Sequence, residues 1–372
     1  MIKRIYVIAG EASADLHASS LMYEMNKLQP GINWRGWGGS QMMRNGLTVD
    51  VRYEEANYMG FIEVIKNLPH ILGLFRKTKK NILEFKPDFL LLLDYPGFNL
   101  RMAKWAHGKG IKVCYYIAPQ VWAWKENRVN IIRQCVKKLY VILPFEEAYF
   151  KSHGVSTAFY GHPLPERISL YQSDPHFRRI NNLTSQSIIA VLPGSRAQEI
   201  KNMLPVYLQV LAKECRHQIV IAGLRQHERL YDEIRSSIGM KTTVVYNSTY
   251  DLLANARVAL VTSGTATLET ALFGVPQVVC YKGNALSYRI ARLLVKVPYI
   301  SLVNLILNKP AVSECIQNDS SPETIGPLFY GLLRAEKRKE LKDCYNELQQ
   351  KLNSRGCSLK IAEDILRTFS IK

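Results

Sequence analysis

An acidic residue directly after a fully apolar run is the first feature of this sequence that is suited to chemistry. Asp94 follows Phe89–Leu93 in LLLLDYPGFN, and Pro96 and Gly97 then turn the chain. A carboxyl group at the carboxyl tip of a buried parallel strand is partly desolvated, which raises its pKa and suits a general base. Asp94 is therefore a candidate catalytic base. The alternative is a carboxylate that caps the next helix or pairs with Arg101.

Two further turns between an apolar run and a helical pattern are candidate ligand sites. The first turn of a helix presents unpaired backbone N–H groups and the positive end of the helix dipole. GEASAD, Gly10–Asp15, offers Glu11 and Ser13 at the edge where open α/β folds bind ligands. A plain helix cap by Ser13 is the alternative. VLPGSRAQEI adds Arg196, whose planar fork of donors suits a phosphate.

The strongest nucleotide signal lies in VTSGTATLETALFG. Ser263, Gly264 and Thr265 form a small, hydroxyl-rich turn into a helix, which is typical of an anion cradle. Glu269 falls about one turn later, where its carboxylate would bind a ribose diol beside a diphosphate. The pattern predicts a nucleotide-diphosphate site, against the alternative of an ordinary helix with this composition.

Two other segments leave two interpretations open. In YIAPQVWAWKENR, Trp122 and Trp124 are either core residues or the lining of a ligand loop. Met59–Lys80 places apolar residues at steps of three and four, with Pro69 interrupting the pattern and a basic cluster following it. That segment is either a core helix with a solvated basic end or an interfacial membrane segment.

The elements that must position these residues alternate between short apolar runs and longer helical patterns. Runs without polar alternation are typical of parallel strands that are buried on both faces, and their spacing predicts βαβ units. The alternation of strand and helix patterns is interrupted in the proline-containing stretch 161–185, so two α/β halves are expected. We predict domains at 1–165 and 166–340, followed by C-terminal helices at 341–372. The predicted strands are Arg4–Ala9, Phe89–Leu93, Lys112–Ile117, Leu139–Leu143, Ser187–Leu192, Gln218–Ala222, Thr242–Val245, Val258–Val261 and Gln277–Tyr281.

Composition narrows the class of protein. The 372 residues are 47% hydrophobic and 22% charged, as in an ordinary globular protein, and the net charge of +18 favours anionic partners. Seven cysteines without a C-x-x-C pair predict neither a disulfide framework nor a metal site. We expect a cytoplasmic protein, because no signal peptide and no apolar stretch of about 18 residues is found. The P-loop pattern and D-x-D are also absent.

Taken together, the motifs resemble one family of GT-B glycosyltransferases. AGEASAD, MGFIEVIKNLP, LLDYPGFNLRMAKWA, YYIAPQVWAWKENR, ILPFE, YGHPL, LPGSRAQEI, TSGTATLETAL and YISLVNLI occur in the order found in lipid-A-disaccharide synthases. The resemblance covers nearly the whole chain from Ile5 to about Leu305. It implies a GT-B fold, in which two Rossmann-like, doubly wound parallel-sheet domains hold the active site in the cleft between them.

The resemblance also implies a reaction and its residues. The family transfers 2,3-diacylglucosamine from UDP-2,3-diacylglucosamine to the 6-hydroxyl of 2,3-diacylglucosamine 1-phosphate (lipid X), with inversion and without a metal or other cofactor. The products are lipid A disaccharide 1-phosphate and UDP. Asp94 would be the catalytic base, and Glu11 and Ser13 would belong to the active-site turn. The UDP site would comprise Arg196, Ser263, Gly264, Thr265, Glu269 and Asn304.

The resemblance further implies peripheral attachment to the inner face of the cytoplasmic membrane. Met59–Lys80 would then meet the anionic surface. The helices at 341–372 would pack back on an N-terminal domain, as in GT-B proteins, and a homodimer that exchanges C-terminal parts would be expected. One competing hypothesis is a UDP-sugar epimerase, or another GT-B transferase with a soluble acceptor. The other is a basic protein that binds nucleic acid or membrane without catalysis, for which Asp94 and Glu269 have no role; we expect no nucleic-acid partner.

Overall fold

The structure is a computed structural model that describes residues 1–56, 67–123, 125–283, 297–352 and 355–370. The chain forms two compact units. Unit 1 comprises residues 1–166 together with 353–372, and unit 2 comprises residues 167–352. Two α/β units agree with the alternation of strand and helix patterns in the sequence.

Unit 1 is built on a parallel sheet of seven strands in the order β3-β2-β1-β4-β5-β6-β7. Successive side chains of β1 point to opposite faces, and both faces are buried: Ile5 and Val7 face one core, and Tyr6 and Ile8 face the other. The strands are β1 (Arg4–Ala9), β2 (Asn33–Gly38), β3 (Leu47–Arg52), β4 (Phe89–Leu93), β5 (Val113–Tyr116), β6 (Lys138–Val141) and β7 (Thr157–Phe159).

Helices connect these strands and cover both faces of the sheet, as parallel pairing requires. Leu74 and Ile82 pack on the face that carries Tyr6, and Leu21 packs on the opposite face. The helices are α1 (Ala12–Leu28), α2 (Ser40–Met43), α3 (Tyr53–Ala56), α4 (Leu68–Phe85), α5 (Pro96–His107), α6 (Val129–Cys135) and α7 (Pro144–Ser152). A further helix, α8 (Pro163–Ser169), contains the point after Glu166 at which the chain passes from unit 1 to unit 2.

Unit 2 repeats the architecture with six parallel strands in the order β10-β9-β8-β11-β12-β13. The order reverses between β8 and β11, which is where doubly wound sheets bind their ligands. The strands are β8 (Ile188–Leu192), β9 (Gln218–Gly223), β10 (Thr243–Tyr246), β11 (Ala256–Thr262), β12 (Gln277–Tyr281) and β13 (Ser313–Ile316). Its helices are α9 (Phe177–Ile180), α10 (Ala197–Val210), α11 (Glu228–Ile238), α12 (Thr249–Asn255), α13 (Thr265–Leu272), α14 (Leu302–Leu307), α15 (Pro322–Gly331) and α16 (Ala335–Leu352).

The C-terminal segment differs from the predicted block at 341–372, because its two parts belong to different units. Residues up to Leu352 remain in unit 2, where Tyr345 is buried and donates a hydrogen bond to the carbonyl of Val275. The last helix, α17 (Cys357–Phe369), belongs to unit 1, where Phe369 packs on Phe89 with ring centroids 4.4 Å apart. Burial of an aromatic side chain on each part explains the division.

Candidate functional site

Asp94 occupies a tightly fixed turn at the carboxyl end of β4. Asp94 and Tyr95 both have left-handed backbone angles, with φ of 42° and 48°. The carbonyl of Asp94 accepts hydrogen bonds from the hydroxyl of Tyr115 (2.6 Å) and from the side-chain amide of Asn99 (2.8 Å). Two consecutive non-glycine residues in this region are uncommon and persist where surrounding contacts over-determine them.

The environment of Asp94 favours a carboxyl group that titrates near neutrality. Burial raises its pKa to about 6, although the N–H of Tyr95 lowers it in part by hydrogen bonding. The side chain is half-buried, so solvent or a ligand can reach it. Such a group is ionised at neutral pH and still basic enough to accept a proton from a hydroxyl.

The turn after β1 lies beside Asp94. β1 pairs with β4, and a Cβ atom on Gly10 would approach the ring of Tyr95 to 2.7 Å, so a side chain there would displace the ring. Glu11 is the residue at the N-cap position of α1, and Ser13 is exposed in its first turn. The structure therefore brings Glu11 and Ser13 to the same sheet edge as Asp94.

Asp15 has a structural role that the sequence did not reveal. Its carboxylate is 2% exposed and accepts hydrogen bonds from the N–H groups of Gly39 (2.6 Å), Met42 and Gln41 (both 3.2 Å). These bonds tie α1 to the short helix α2 after β2. The sequence does not indicate this role, because the partners are 24 to 27 residues away from Asp15 in the chain.

A second carboxyl group at this edge was also missed. Glu146, in α7 after β6, is 1% exposed and accepts a hydrogen bond from the indole N–H of Trp122 at 2.9 Å. Burial raises its pKa to about 7, against hydrogen bonds that lower it, and the charge of Asp94 contributes to the rise. Trp122 is thus part of the loop around the candidate base, whereas Trp124 lies outside the described residues.

In unit 2, the start of α13 has the features of an anion cradle. Gly264 and Thr265 are exposed, and no side chain in the described part of unit 2 caps this helix. Its first-turn N–H groups therefore have no side-chain acceptor, although the N–H of Thr267 donates to the carbonyl of Gly264 at 3.1 Å. The hydroxyl of Ser263 donates to the carbonyl of Ile300 at 3.2 Å, which fixes the turn at the carboxyl end of β11.

Glu269 is hydrogen-bonded by a residue of another element, and a nearby cation acts on its charge. The hydroxyl of Tyr250 donates a 2.9 Å hydrogen bond to the carboxylate, and the guanidinium of Arg167 lies 5.3 Å from the centre of the Tyr250 ring. Burial raises the pKa of Glu269, while the Tyr250 hydrogen bond and the charge of Arg167 act against the rise. The acceptor oxygens of Glu269 are thus oriented before any ligand binds.

The start of α10 differs from that of α13. Arg196 is exposed, and its guanidinium donates to the carboxylate of Glu199 at 2.6 Å. The same carboxylate accepts the N–H groups of Ser195 (3.0 Å) and Arg196 (3.3 Å). Glu199 therefore already occupies the position that an anion would take at this helix start, and Arg196 must exchange its partner to contact a phosphate.

Asn304 is buried behind the cradle, and its side chain is fully engaged. Its amide donates to the carbonyl of Val312 (2.9 Å) and the carboxylate of Glu314 (2.8 Å), and its oxygen accepts the Val312 N–H. Glu314 in turn accepts the N–H groups of Ile300 and Ser301. Through Ile300 this network reaches Ser263, so Asn304 supports the cradle from within the core.

The segment Met59–Lys80 is described only in part, because residues 57–66 lie outside the described residues. From Leu68 onward it forms α4, with Pro69 in the first helical turn, where its missing N–H is tolerated. Leu74 is buried and Phe75 packs edge-to-face on Phe98, so this face belongs to the core. Leu68 and Leu72 are each 44% exposed.

Neither a membrane-spanning helix nor a metal cluster is found among the described residues. No helix in that part of the chain combines the length and apolar character needed to span a membrane. Within the same residues, no three His, Cys, Asp or Glu side chains are grouped as a metal site. The seven cysteines have no disulfide partner among the described residues.

Comparison with known proteins gives a consistent result over the full chain. A family model described as "Lipid-A-disaccharide synthetase" matches residues 5–365. A lipid-A-disaccharide synthase of Syntrophus aciditrophicus (strain SB) is 38% identical over 368 residues, which cover 97% of this chain and 96% of the relative. The corresponding protein of Nitrosococcus oceani is 37% identical, covering 96% and 94% of the two chains.

Solved structures with the same architecture are more distant in sequence. A UDP-GlcNAc 2-epimerase from Neisseria meningitidis, bound to UDP-GlcNAc, has a TM-score of 0.64 and 13% identity, covering 98% of this chain and 100% of that one. At this identity the likeness concerns the fold, and it agrees with the predicted pair of doubly wound sheets.

Proposed function

Because the chain belongs to the lipid-A-disaccharide synthase family and is thus a glycosyltransferase of lipid A biosynthesis, we propose that it joins two acylated glucosamines. The donor is UDP-2,3-diacylglucosamine and the acceptor is 2,3-diacylglucosamine 1-phosphate. The epimerase alternative rests on a shared fold alone, whereas the transferase relatives match nearly the whole chain. The nucleic-acid alternative leaves Asp94 and Glu269 without a role.

The observation that carries the proposal is the half-buried carboxyl of Asp94, fixed at a strand end with a pKa near 6. In the reaction, the oxygen of the acceptor 6-hydroxyl forms a bond to the anomeric carbon of the donor. The bond from that carbon to the diphosphate breaks, and its electron pair leaves with UDP. The hydroxyl proton passes to Asp94, and attack opposite to the leaving group inverts the anomeric configuration.

Unit 2 supplies the groups that stabilise the departing diphosphate. The uncapped start of α13 directs N–H groups and the positive end of a helix dipole toward an anion. Glu269, oriented by Tyr250, accepts hydrogen bonds from the ribose hydroxyls. Arg196 adds a charged donor once it leaves Glu199. Each preorganised donor of this kind stabilises the transition state by on the order of 3 kcal/mol.

Glu11 and Ser13 complete the edge around Asp94, and we propose that they orient the acceptor. The acyl chains of both substrates require an apolar surface. We therefore propose that α4 meets the inner face of the cytoplasmic membrane through Leu68 and Leu72, which are exposed. The adjoining basic residues Arg76 and Lys77 are also exposed and favour acidic phospholipid.

The proposal is tested by identifying the product. Purified protein is incubated with both acylated substrates in detergent and EDTA, and the product is analysed by mass spectrometry and by NMR of the anomeric proton. We expect a disaccharide 1-phosphate with the configuration opposite to that of the donor. A product with retained configuration would contradict direct displacement, and a free epimerised sugar would replace the transferase proposal with the epimerase one.

A further inference from the structure

Glu146 is a fully buried carboxyl group for which the proposed reaction has no use. It is 1% exposed and lies in the first turn of α7. Keeping an ionisable group inside a protein is costly unless it is hydrogen-bonded. Its three hydrogen bonds therefore indicate what it does.

The two oxygens of Glu146 have different partners. Oε2 accepts the N–H groups of Leu143 (3.0 Å) and Ile142 (3.3 Å), which anchors the carboxyl at the start of α7. Oε1 accepts the indole N–H of Trp122 at 2.9 Å. One carboxylate therefore joins the start of α7 to the loop that follows β5.

That loop stands next to Asp94. β4, β5 and β6 are neighbours in the sheet. β4 is followed by Asp94, β5 by the loop that contains Trp122, and β6 by the start of α7. The loop begins with Ile117 in a left-handed conformation, with φ of 65°, and its N–H donates to the carbonyl of Tyr140. The influence of the Asp94 charge on Glu146 agrees with this proximity.

Trp122 is held on both sides of its indole. Its N–H is bonded to Glu146, and its rings meet Phe145 edge-to-face at 4.9 Å. The side chain is nevertheless half-buried, so part of the aromatic surface remains open. An indole fixed in this way presents a rigid apolar face, which suits packing against the C–H groups of a sugar ring.

We propose that Glu146 is a positioning residue of the transfer reaction, which fixes Trp122 and the loop 117–123 as one wall of the acceptor site around Asp94. The inference rests on the proposed function, because it takes the acceptor to bind beside Asp94. Trp122 contacts the acceptor sugar, and Glu146 acts through Trp122 without touching the substrate.

The chemistry explains why a carboxylate is needed. Both oxygens act as acceptors for N–H donors, and a glutamine offers one acceptor oxygen and one donating amide. Glu146→Gln must therefore give up either the Trp122 bond or the two backbone bonds. Trp122→Phe removes the indole donor and leaves the backbone bonds of Glu146 in place.

The experiment compares Glu146→Gln, Trp122→Phe and the double variant with the wild-type enzyme. Glu147→Gln is the matched control, since Glu147 is the next residue of α7 and pairs with Lys151 at 2.9 Å. Steady-state rates are measured at saturating donor over a range of 2,3-diacylglucosamine 1-phosphate concentrations. UDP affinity is measured by calorimetry, and thermal melting reports on folding.

We expect Glu146→Gln and Trp122→Phe each to raise the acceptor KM and to lower kcat/KM at least tenfold. The double variant should resemble either single variant, because both remove the same contact. UDP affinity and the Glu147→Gln kinetics should stay within twofold of wild type. A merely structural role would lower the melting temperature and the active fraction without raising the acceptor KM.

An unchanged acceptor KM in both single variants would overturn the inference, and so would losses that multiply in the double variant. If Glu146→Gln fails to fold, Trp122→Phe decides by the same criterion. The assignment of Asp94 as base is judged separately by Asp94→Asn. Turnover retained in Asp94→Asn would remove that assignment while the acceptor KM of the Trp122 variant still measures positioning.

Discussion

At the scale of single residues, Asp94 combines two costs that a purely structural residue would not carry. Its backbone is left-handed, and burial keeps its carboxyl group from ionising until the pH approaches 6. Strain and a displaced pKa at one residue are typical of functional sites. Its backbone conformation is held by the hydrogen bonds of Asn99 and Tyr115 to its carbonyl.

Asp94→Asn should reduce turnover by at least a hundredfold, because the amide cannot accept the hydroxyl proton. UDP affinity should remain within a few-fold, since the groups that we propose to bind UDP lie in unit 2. In the wild-type enzyme, kcat/KM should fall as the pH drops below about 6, where Asp94 becomes protonated. The measurement is a pH profile of both proteins, with Asp88→Asn at the opposite end of β4 as the control.

The same substitution should stabilise the fold at neutral pH. The folded-state pKa of Asp94 lies above the ordinary value of 3.8 for this carboxyl group. Its favourable contribution is therefore present below pH 4 and is lost as the pH rises through about 6. Asp94→Asn should raise the free energy of unfolding at pH 8 by on the order of 2 kcal/mol, with little difference at pH 4. A lower melting temperature at pH 8 would show that the carboxylate stabilises the turn.

Tyr250→Phe should weaken UDP binding about three- to tenfold, because Glu269 loses the hydrogen bond that orients it. Glu269→Ala should weaken binding further, since the proposed acceptor for the ribose hydroxyls is itself removed. Calorimetric titration with UDP measures both, and Tyr330→Phe serves as the control, because its hydroxyl bonds the carbonyl of Val210 on other elements. Unchanged affinity in Glu269→Ala would move the ribose site elsewhere.

Single-residue predictions from sequence depended on local context. Asp94 and Glu269 lie beside turns whose residue types indicate a ligand site, so their roles could be predicted from the neighbouring residues. Glu146 and Tyr250 act on partners 24 and 19 residues away, and only the packing of the strands reveals these pairs. The motif ILPFE contains Glu146, yet nothing in its spacing pointed to Trp122.

At the scale of elements, α4 has a core face and an exposed face, and the proposed membrane contact is assigned to the exposed face. Its inner face is core, because Leu74 and Thr78 are buried and Phe75 packs on Phe98. Its outer face leaves Leu68 and Leu72 exposed beside basic residues. Phe75 is therefore unsuited to a test of membrane contact, since its replacement would disturb the core.

Replacing Leu68 and Leu72 with serine should reduce binding to liposomes that contain acidic phospholipid at least fivefold, because their exposed apolar surface is lost. Sedimentation with vesicles measures binding, and circular dichroism should show no change in fold. Leu170→Ser is the control, since Leu170 is 78% exposed and lies in unit 2. Equal binding of both variants would assign membrane contact to another part of the chain.

Some strands were predicted from continuous apolar runs in the sequence, and others were not. β1, β4 and β12 have the predicted bounds, because both of their faces are buried and each is apolar after a first residue that is polar only in β1 (Arg4) and β12 (Gln277). β2 was missed, since NWRGWG contains an arginine and two glycines. At Gly36 a Cβ would lie 1.9 Å from the carbonyl of Val7, so the close approach of β1 requires glycine there.

At the scale of the whole molecule, the chain leaves unit 1 after Glu166 and returns to it at Asn353. Unit 2 is thus one continuous segment, whereas unit 1 needs its last helix. Asp364 in α17 accepts a hydrogen bond from Tyr140 at 3.0 Å and pairs with Lys138 at 3.6 Å. The sequence predicted two α/β halves and a returning C-terminus. It did not separate α16 from α17, because both are charged and helical in pattern.

The net charge of +18 belongs to this scale as well. Both proposed substrates and an acidic membrane are anionic, so the charge favours their approach without fixing a site. Specificity must then come from the local arrangements around Asp94 and Glu269. We propose that these two groups serve one transfer between two substrates.

That claim is tested most directly by measuring UDP release from UDP-2,3-diacylglucosamine, with and without 2,3-diacylglucosamine 1-phosphate, in detergent and EDTA. We predict release that depends on the acceptor in the wild-type enzyme and is lost in Asp94→Asn while UDP still binds. Release that is equally fast without the acceptor, or that persists in Asp94→Asn, would contradict the account.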